Sequence, residues 1–197
     1  MKRLKAFLRG MAMLPRLILL RASGVSVSEN VRVYGPVCVD RAKGSTISLA
    51  RNVVLNADVH RNTLESRGPV ILKTLSPGAR LSIGQDSGMT CATISSAGEV
   101  SIGDRVLIGA GVLITDSDHH VVRPPPGTHR RYLGFPPVRD RDRVRIADDV
   151  FIGARSIVLK GVSIGARSVI GAGSVVVNDI PPDVIAAGNP CRVLGAL

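Results

Sequence analysis

Residues 144–179 read VRIADD VFIGAR SIVLKG VSIGAR SVIGAG SVVVND. Stepping by six from Ile146 reaches Ile152, Val158, Ile164, Ile170 and Val176, all aliphatic. The position four after each of these, from Ile146 to Val176, is Val150, Ser156, Val162, Ser168, Ser174 or Ile180, small or β-branched throughout. An α-helix cannot keep residues six apart on one face, because each step rotates the side chain by roughly 240°. A short strand and a turn repeated every six residues can. Gly153, Gly165 and Gly171 directly follow ladder residues, and they are expected to serve the turns by accepting positive φ. The period is that of a β-solenoid, an all-β fold.

Composition agrees. Apolar residues make up 45% of the 197-residue chain but aromatics only 3%, with no Trp. A wide globular interior would need large rings, whereas a narrow prism filled by stacked aliphatic side chains does not. The formal charge of +11 suits polyanionic partners, although arginines such as Arg51, Arg155 and Arg167 sit at turn positions and read as a solvated face. Nucleic-acid motifs and stacking aromatics are missing, which excludes a nucleic-acid partner. Cys38, Cys91 and Cys191 have no paired spacing, so reduced thiols and a cytoplasmic location are expected.

The chain divides into an N-terminal segment (1–23), a solenoid (24–180) and a C-terminal tail (181–197). The first segment places Leu4, Phe7, Leu8 and Met11 at helical spacing among basic residues, and Pro15 splits it into two short pieces. Its charges exclude a secretory signal and a membrane span. Two roles compete: a cap on the solenoid end, or peripheral contact of residues 1–20 with the inner face of the membrane.

The six-step begins at Val27, Val33 and Val39, then shifts to Ile47, Val53 and Val59. Between residues 60 and 82 the ladder is lost, and VILKTL at 70–75 reads as a small excursion or edge strand. The pattern resumes at Ile83 and Met89, and a bulge is expected between residues 89 and 101, because Ile102, Ile108 and Ile114 lie one residue out of frame. The ladder then breaks at 115–143, TDSDHHVVRPPPGTHRRYLGFPPVRDRDR, which holds five of the twelve prolines and three of the four histidines. So long an irregular loop in a compact domain is usually functional.

IGDRVLIGAGVLITDSDHH, the Pro-rich loop, and IADDVFIGARSIVLKGVSIGARSVIGAGSVVVNDIPPDVIAAGNPCRV together resemble the hexapeptide-repeat acyltransferases, and within them the maltose and galactoside O-acetyltransferases and capsule or exopolysaccharide O-acetyltransferases. The resemblance runs almost continuously from Ser101 to Val193 and is loose before it. It implies a left-handed parallel β-helix, a homotrimer with active sites between subunits, acetyl-CoA as acyl donor without a metal, and acetyl transfer to a hydroxyl of a sugar or polysaccharide precursor by direct attack. A histidine at the start of the extruded loop is the implied general base, and imidazole suits that work near neutral pH. Counting from IGD selects His119; the DSD-any-His form of polysaccharide-modifying relatives selects His120, which is the preferred candidate. Asp116 and Asp118 are placed to orient the imidazole. The donor's pantetheine arm is expected along Gly153, Ala154, Gly171 and Ala172, and its phosphates against Arg192 or Lys160. Ser87 and Thr90 are the acceptor-side candidates, with Phe151 as the cleft wall. Other roles on the same solenoid are a non-catalytic scaffold, N-acylation of an amino or nucleotide sugar, and γ-class carbonic anhydrase, whose zinc ligands come from spaced coils rather than one loop.

Overall fold

The computed structural model describes residues 14–62, 64 and 68–197. The chain winds into a prism whose three faces are parallel sheets. The first face stacks Ser26–Val27, Thr46–Leu49, Arg80–Ile83, Glu99–Ile102, Val144–Ile146 and Ser163–Ile164. The second stacks Arg32–Tyr34, Val54–Asn56, Gly88–Thr90, Leu107–Ile108, Phe151–Ile152, Val169–Ile170 and Val184–Ala187. The third stacks Val37–Arg41, Val70–Thr74, Thr93–Ser96, Leu113–Thr115, Ile157–Val158 and Val175–Val176.

Strand register puts one aliphatic column inside each face. Val27, Leu49, Ile83, Ile102, Ile146 and Ile164 stack on the first. Val33, Leu55, Met89, Ile108, Ile152, Ile170 and Ala186 stack on the second. Val39, Leu72, Ile94, Ile114, Val158 and Val176 stack on the third. The hexad reading from Ile146 to Val176 therefore places every rung.

Earlier coils depart from it. The second-coil rungs are Leu49 and Leu55, while Ile47 and Val53 also point inward two residues before them; Val59, at 55% exposed, is no rung. Val70–Thr74 is neither excursion nor edge strand but lies between Val37–Arg41 and Thr93–Ser96, with Val70, Leu72 and Thr74 buried. The insertion lies before this strand, and interstrand hydrogen bonding restores the lattice that residue counting loses. The irregularity expected between 89 and 101 includes Cys91, at φ 45. The segment after Pro181 also belongs to the solenoid. Val184–Ala187 extends the second face, and Arg192–Ala196 folds back antiparallel on it.

Residues 14–22 are helical, with Leu20 inside the core and Leu17 packed against it, and Ser23 Oγ donates to Leu20 O at 2.7 Å. This helix packs Leu17 and Leu20 against the core at the start of the first coil. Residues 1–13, which carry most of the proposed membrane contact, lie outside the described residues. No described helix is long and apolar enough to cross a membrane.

The glycines after the ladder residues have a different job from the one their position suggests. Gly153, Gly165 and Gly171 are not among the positive-φ residues. A Cβ on Gly153 would overlap the backbone of Ala172, and one on Gly165 the backbone at Pro182. Their size lets one coil rest on the next. Positive φ falls instead three residues after the rung. On the corner between first and second faces it is taken by Asn30, Asn52, Asp86, Arg105, Asp149, Arg167 and Asp183. The left-handed region costs an arginine about 1–2 kcal/mol, and here that corner is tied by cross-coil bonds. Asn52 Nδ2 donates to Asp86 at 2.6 Å; Arg105 Nε and Nη2 donate to Asp149 at 2.6 and 2.8 Å; Arg167 Nε and Nη2 donate to Asp183 at 2.5 and 2.6 Å.

The hydrogen bonds from Arg105 and Arg167 hold Asp149 and Asp183 below their ordinary value of 3.8. A carboxylate depressed in the folded state stabilises fully above its unfolded value and loses that contribution as pH falls through the lower folded value. Acid unfolding of the wild type should therefore steepen below about pH 4, and the double variant Asp149→Asn/Asp183→Asn should show a shallower loss there, read by urea unfolding from pH 6 to 2.5. Gly153→Ala should cost about 1–3 kcal/mol, the overpacking range. Gly195→Ala, whose added Cβ meets nothing within 4 Å, should be neutral in the same assay.

Candidate active site

The ladder opens between Leu113–Thr115 and Val144–Ile146. Thr115 is still strand, so the extruded loop runs over residues 116–143 rather than 115–143. It leaves from the corner between third and first faces, where the wider turns of the preceding coils also lie. Two short 3-10 turns, Arg130–Tyr132 and Asp140–Asp142, interrupt it.

Asp116, at 4% exposed, does not orient an imidazole. Its carboxylate accepts from the backbone N–H of Ala97 at 2.5 Å, Gly98 at 2.8 Å and Glu99 at 2.7 Å, and from Ser96 Oγ at 3.1 Å. It anchors the loop's first residue to the turn of the coil before. Asp118 is engaged elsewhere too. Lys160 Nζ donates to Asp118 at 2.6 Å and sits 3.5 Å from Asp142, so one ammonium ties the loop's beginning to its end. That hydrogen bond to Asp118 raises the lysine's pKa. Lys160 is therefore engaged by two carboxylates of the loop.

The two histidines differ sharply. His119 is half-buried with φ 58, and its backbone N–H donates to Ser117 Oγ at 3.0 Å. Its Nε2 lies 3.3 Å from Thr115 Oγ1, and its ring meets Phe135 edge-on at a centroid distance of 6.2 Å. Nδ1 has no hydrogen bond among the described residues. His120 is exposed, and among the described residues its ring has no hydrogen-bond partner. Thr115 and Phe135 were not legible as partners: one looks like the end of a strand, and the other enters from across the loop. No group of three or more His, Cys, Asp or Glu side chains that could hold a metal occurs among the described residues.

The remaining candidates lie on the second face and its next corner. Thr90 and Phe151 line one open groove of about 460 Å³ with Tyr34, Asn56 and Leu107. No loop residue contributes to it. Ser87, also at its edge, is 1% exposed, and its Oγ donates to Gly103 O at 2.8 Å and accepts from Val106 N at 2.9 Å. It fastens two coils and is not an acceptor ligand. At the corner between second and third faces, the closely stacked Gly153 and Gly171 bring the backbone of Ala154 and Ala172 near the surface, one coil apart. Neither alanine N–H donates a backbone hydrogen bond among the described residues, although Ala154 O accepts from Gly173. Arg192 is exposed, with Nη1 donating to Cys191 O at 3.1 Å.

Residues 81–116 and 143–177, the coils on either side of the loop, match the family described as hexapeptide repeat of succinyl-transferase. These two segments carry the hexapeptide repeat. A stretch of 95 residues is 43% identical to galactoside O-acetyltransferase of Escherichia coli, covering 48% of this chain and 43% of that protein. The chain thus spans less than half the length of this curated relative. A hexapeptide-repeat-containing acetyltransferase from Vibrio cholerae matches in structure with a TM-score of 0.59 at 23% identity, over 94% of this chain and 81% of that one. A galactoside acetyltransferase in complex with coenzyme A matches with a TM-score of 0.52 at 29% identity, over 87% of this chain and 64% of that one. The expected left-handed parallel β-helix is the fold of this chain.

Replacing Asp116 tests its anchoring role. Asp116→Ala strands three backbone donors and should cost about 2–4 kcal/mol, more than a surface aspartate. Urea unfolding would measure the loss, and a cost near zero would show that the carboxylate is not what holds the turn.

Proposed function

We propose that this chain is an acetyl-CoA-dependent O-acetyltransferase acting on a hydroxyl of a sugar or polysaccharide precursor, with His119 as general base. The observation that carries the reading is the His119 ring. It is half-buried at the start of the break at 116–143, flanked by Thr115 and Phe135, while its neighbour His120 has no such setting. The galactoside O-acetyltransferase likeness supports the reaction class.

An alcohol is a poor nucleophile until its proton is being removed, and a positioned imidazole typically contributes 10²–10⁴-fold. His119 takes the proton of the acceptor hydroxyl as that oxygen attacks. The resulting imidazolium can give the proton to the departing sulfur, so the ring ends the turnover as it began. When bound, acetyl-CoA supplies the acetyl group as a thioester. The unpaired N–H groups of Ala154 and Ala172 suit the amide carbonyls of its arm, and Arg192 suits its phosphates. Asp118 and Lys160 hold the loop, and so the ring, in place.

The assembly in this reading is a homotrimer with active sites between subunits. Side chains facing outward on the second face include Leu107 and Phe151, 57% and 44% exposed, and Ile185 at 39%. The corresponding outward positions on the first face are Ser26, Ser48, Ser82, Ser101, Arg145 and Ser163. An apolar face beside a serine face supports burial of the former. A neighbouring prism would also bring Thr90 and Phe151 of one subunit toward the loop of another.

Thiol release from acetyl-CoA with a panel of sugar acceptors tests the proposal. His119→Ala should lower kcat at least 100-fold, and His120→Ala by no more than a few-fold. The reverse pattern would assign the base to His120, and full turnover in both variants would overturn the mechanism.

A further inference from the structure

A second cavity, of about 520 Å³, lies between the loop and the prism. Its wall includes Ser117 and Asp118, the two residues before His119, but none of the three loop histidines. The apolar part is Val121, Val122, Pro136, Pro137 and Val138. The charged part is Asp116, Asp118, Asp142, Lys160, Arg123, Arg139 and Arg141.

These charges are unequally committed. Asp116 is saturated by three backbone N–H groups and a serine hydroxyl. Asp118 and Asp142 share Lys160. Other loop arginines are also engaged: Arg143 pairs with Glu99 and Asp140, and Arg130 donates to Val121 O and Val122 O. Arg123, Arg139 and Arg141 differ, because among the described residues none has an ion-pair or side-chain hydrogen-bond partner. Three guanidiniums around one cavity repel one another, and each offers N–H donors in the planar fork that matches a carboxylate bidentately. The carboxylates beside them are already bonded, so the unsatisfied chemistry facing the cavity is cationic.

We infer that this cavity binds an acidic sugar, with Arg123, Arg139 and Arg141 receiving its carboxylate and the valines and prolines lying against its ring carbons. The volume is in the range of small-molecule sites, and the position beside residues 117 and 118 puts the bound sugar next to His119. Its role as the acceptor rests on the acetyltransferase reading; the binding itself does not.

Calorimetric titration of the full chain tests the site with three probes: a trisaccharide of uronic acids, the same trisaccharide with its carboxyls reduced to alcohols, and coenzyme A. The uronate should bind at least tenfold tighter than the reduced sugar, and more weakly as salt rises. The triple variant Arg123→Gln/Arg139→Gln/Arg141→Gln, checked for an unchanged circular dichroism spectrum and melting temperature, should lose that preference. Saturating coenzyme A should leave uronate binding in place. Equal binding of the two sugars, binding of neither, or retention of the preference in the variant would overturn the site. Displacement of the uronate by coenzyme A would give the arginines to the donor's phosphates and overturn it equally. Uronate binding without acetyl-CoA turnover on any acceptor would uphold the site while sinking the acetyltransferase reading.

Discussion

Parallel hydrogen bonding sets each coil about 4.8 Å above the last, and the other features of this chain are adapted to that distance. Aliphatic side chains recur every six residues, one to each face, and each covers its counterpart one coil below, as Ile164 covers Ile146. Glycine follows the rung where the next coil's backbone passes closest, as at Gly153 over Ala172 and Gly165 over Pro182. The turn that starts each new face needs one left-handed residue, and polar side chains there reach across to the next coil. Arg105 with Asp149 and Arg167 with Asp183 convert a strained backbone position into a surface tie between coils.

The same spacing makes the loop conspicuous and also determines how it is held. A regular coil returns after six residues per face; residues 116–143 do not, so their two ends must be fixed by side chains instead of ladder bonds. Asp116 fixes the departure against the turn at residues 97–99. Lys160, from the coil beyond, binds Asp118 near the start and Asp142 near the end. With both ends fixed, His119 can take a left-handed conformation between Thr115 and Phe135. Residues that look catalytic by sequence proximity are thus the ones that hold the surroundings of His119.

The legibility of the parts follows the range of the forces behind them. From Ile146 to Val176 the hexads are uninterrupted, so counting alone places each rung on its face. Before Ile83 insertions break the count, and Val70–Thr74 looks detached although it is paired on both sides within the third sheet. The histidine-bearing loop was visible as an interruption, yet which histidine is held could not be read from two adjacent imidazoles. Ser87 and Lys160 looked available because nothing in a string of letters shows that Gly103, Val106, Asp118 and Asp142 have already engaged them.

The sequence by itself determined the solenoid, the place where it opens and the kind of side chains at the opening, because those depend on periodicity, and periodicity is local. Only the tertiary structure decided what each polar group does. Asp116 became an anchor, Lys160 a strap, His119 the held imidazole, and Arg123, Arg139 and Arg141 the cations left facing a cavity. The physical reason is that a hydrogen bond engages a particular donor with a particular acceptor, and coils far apart in sequence meet only after the chain has wound.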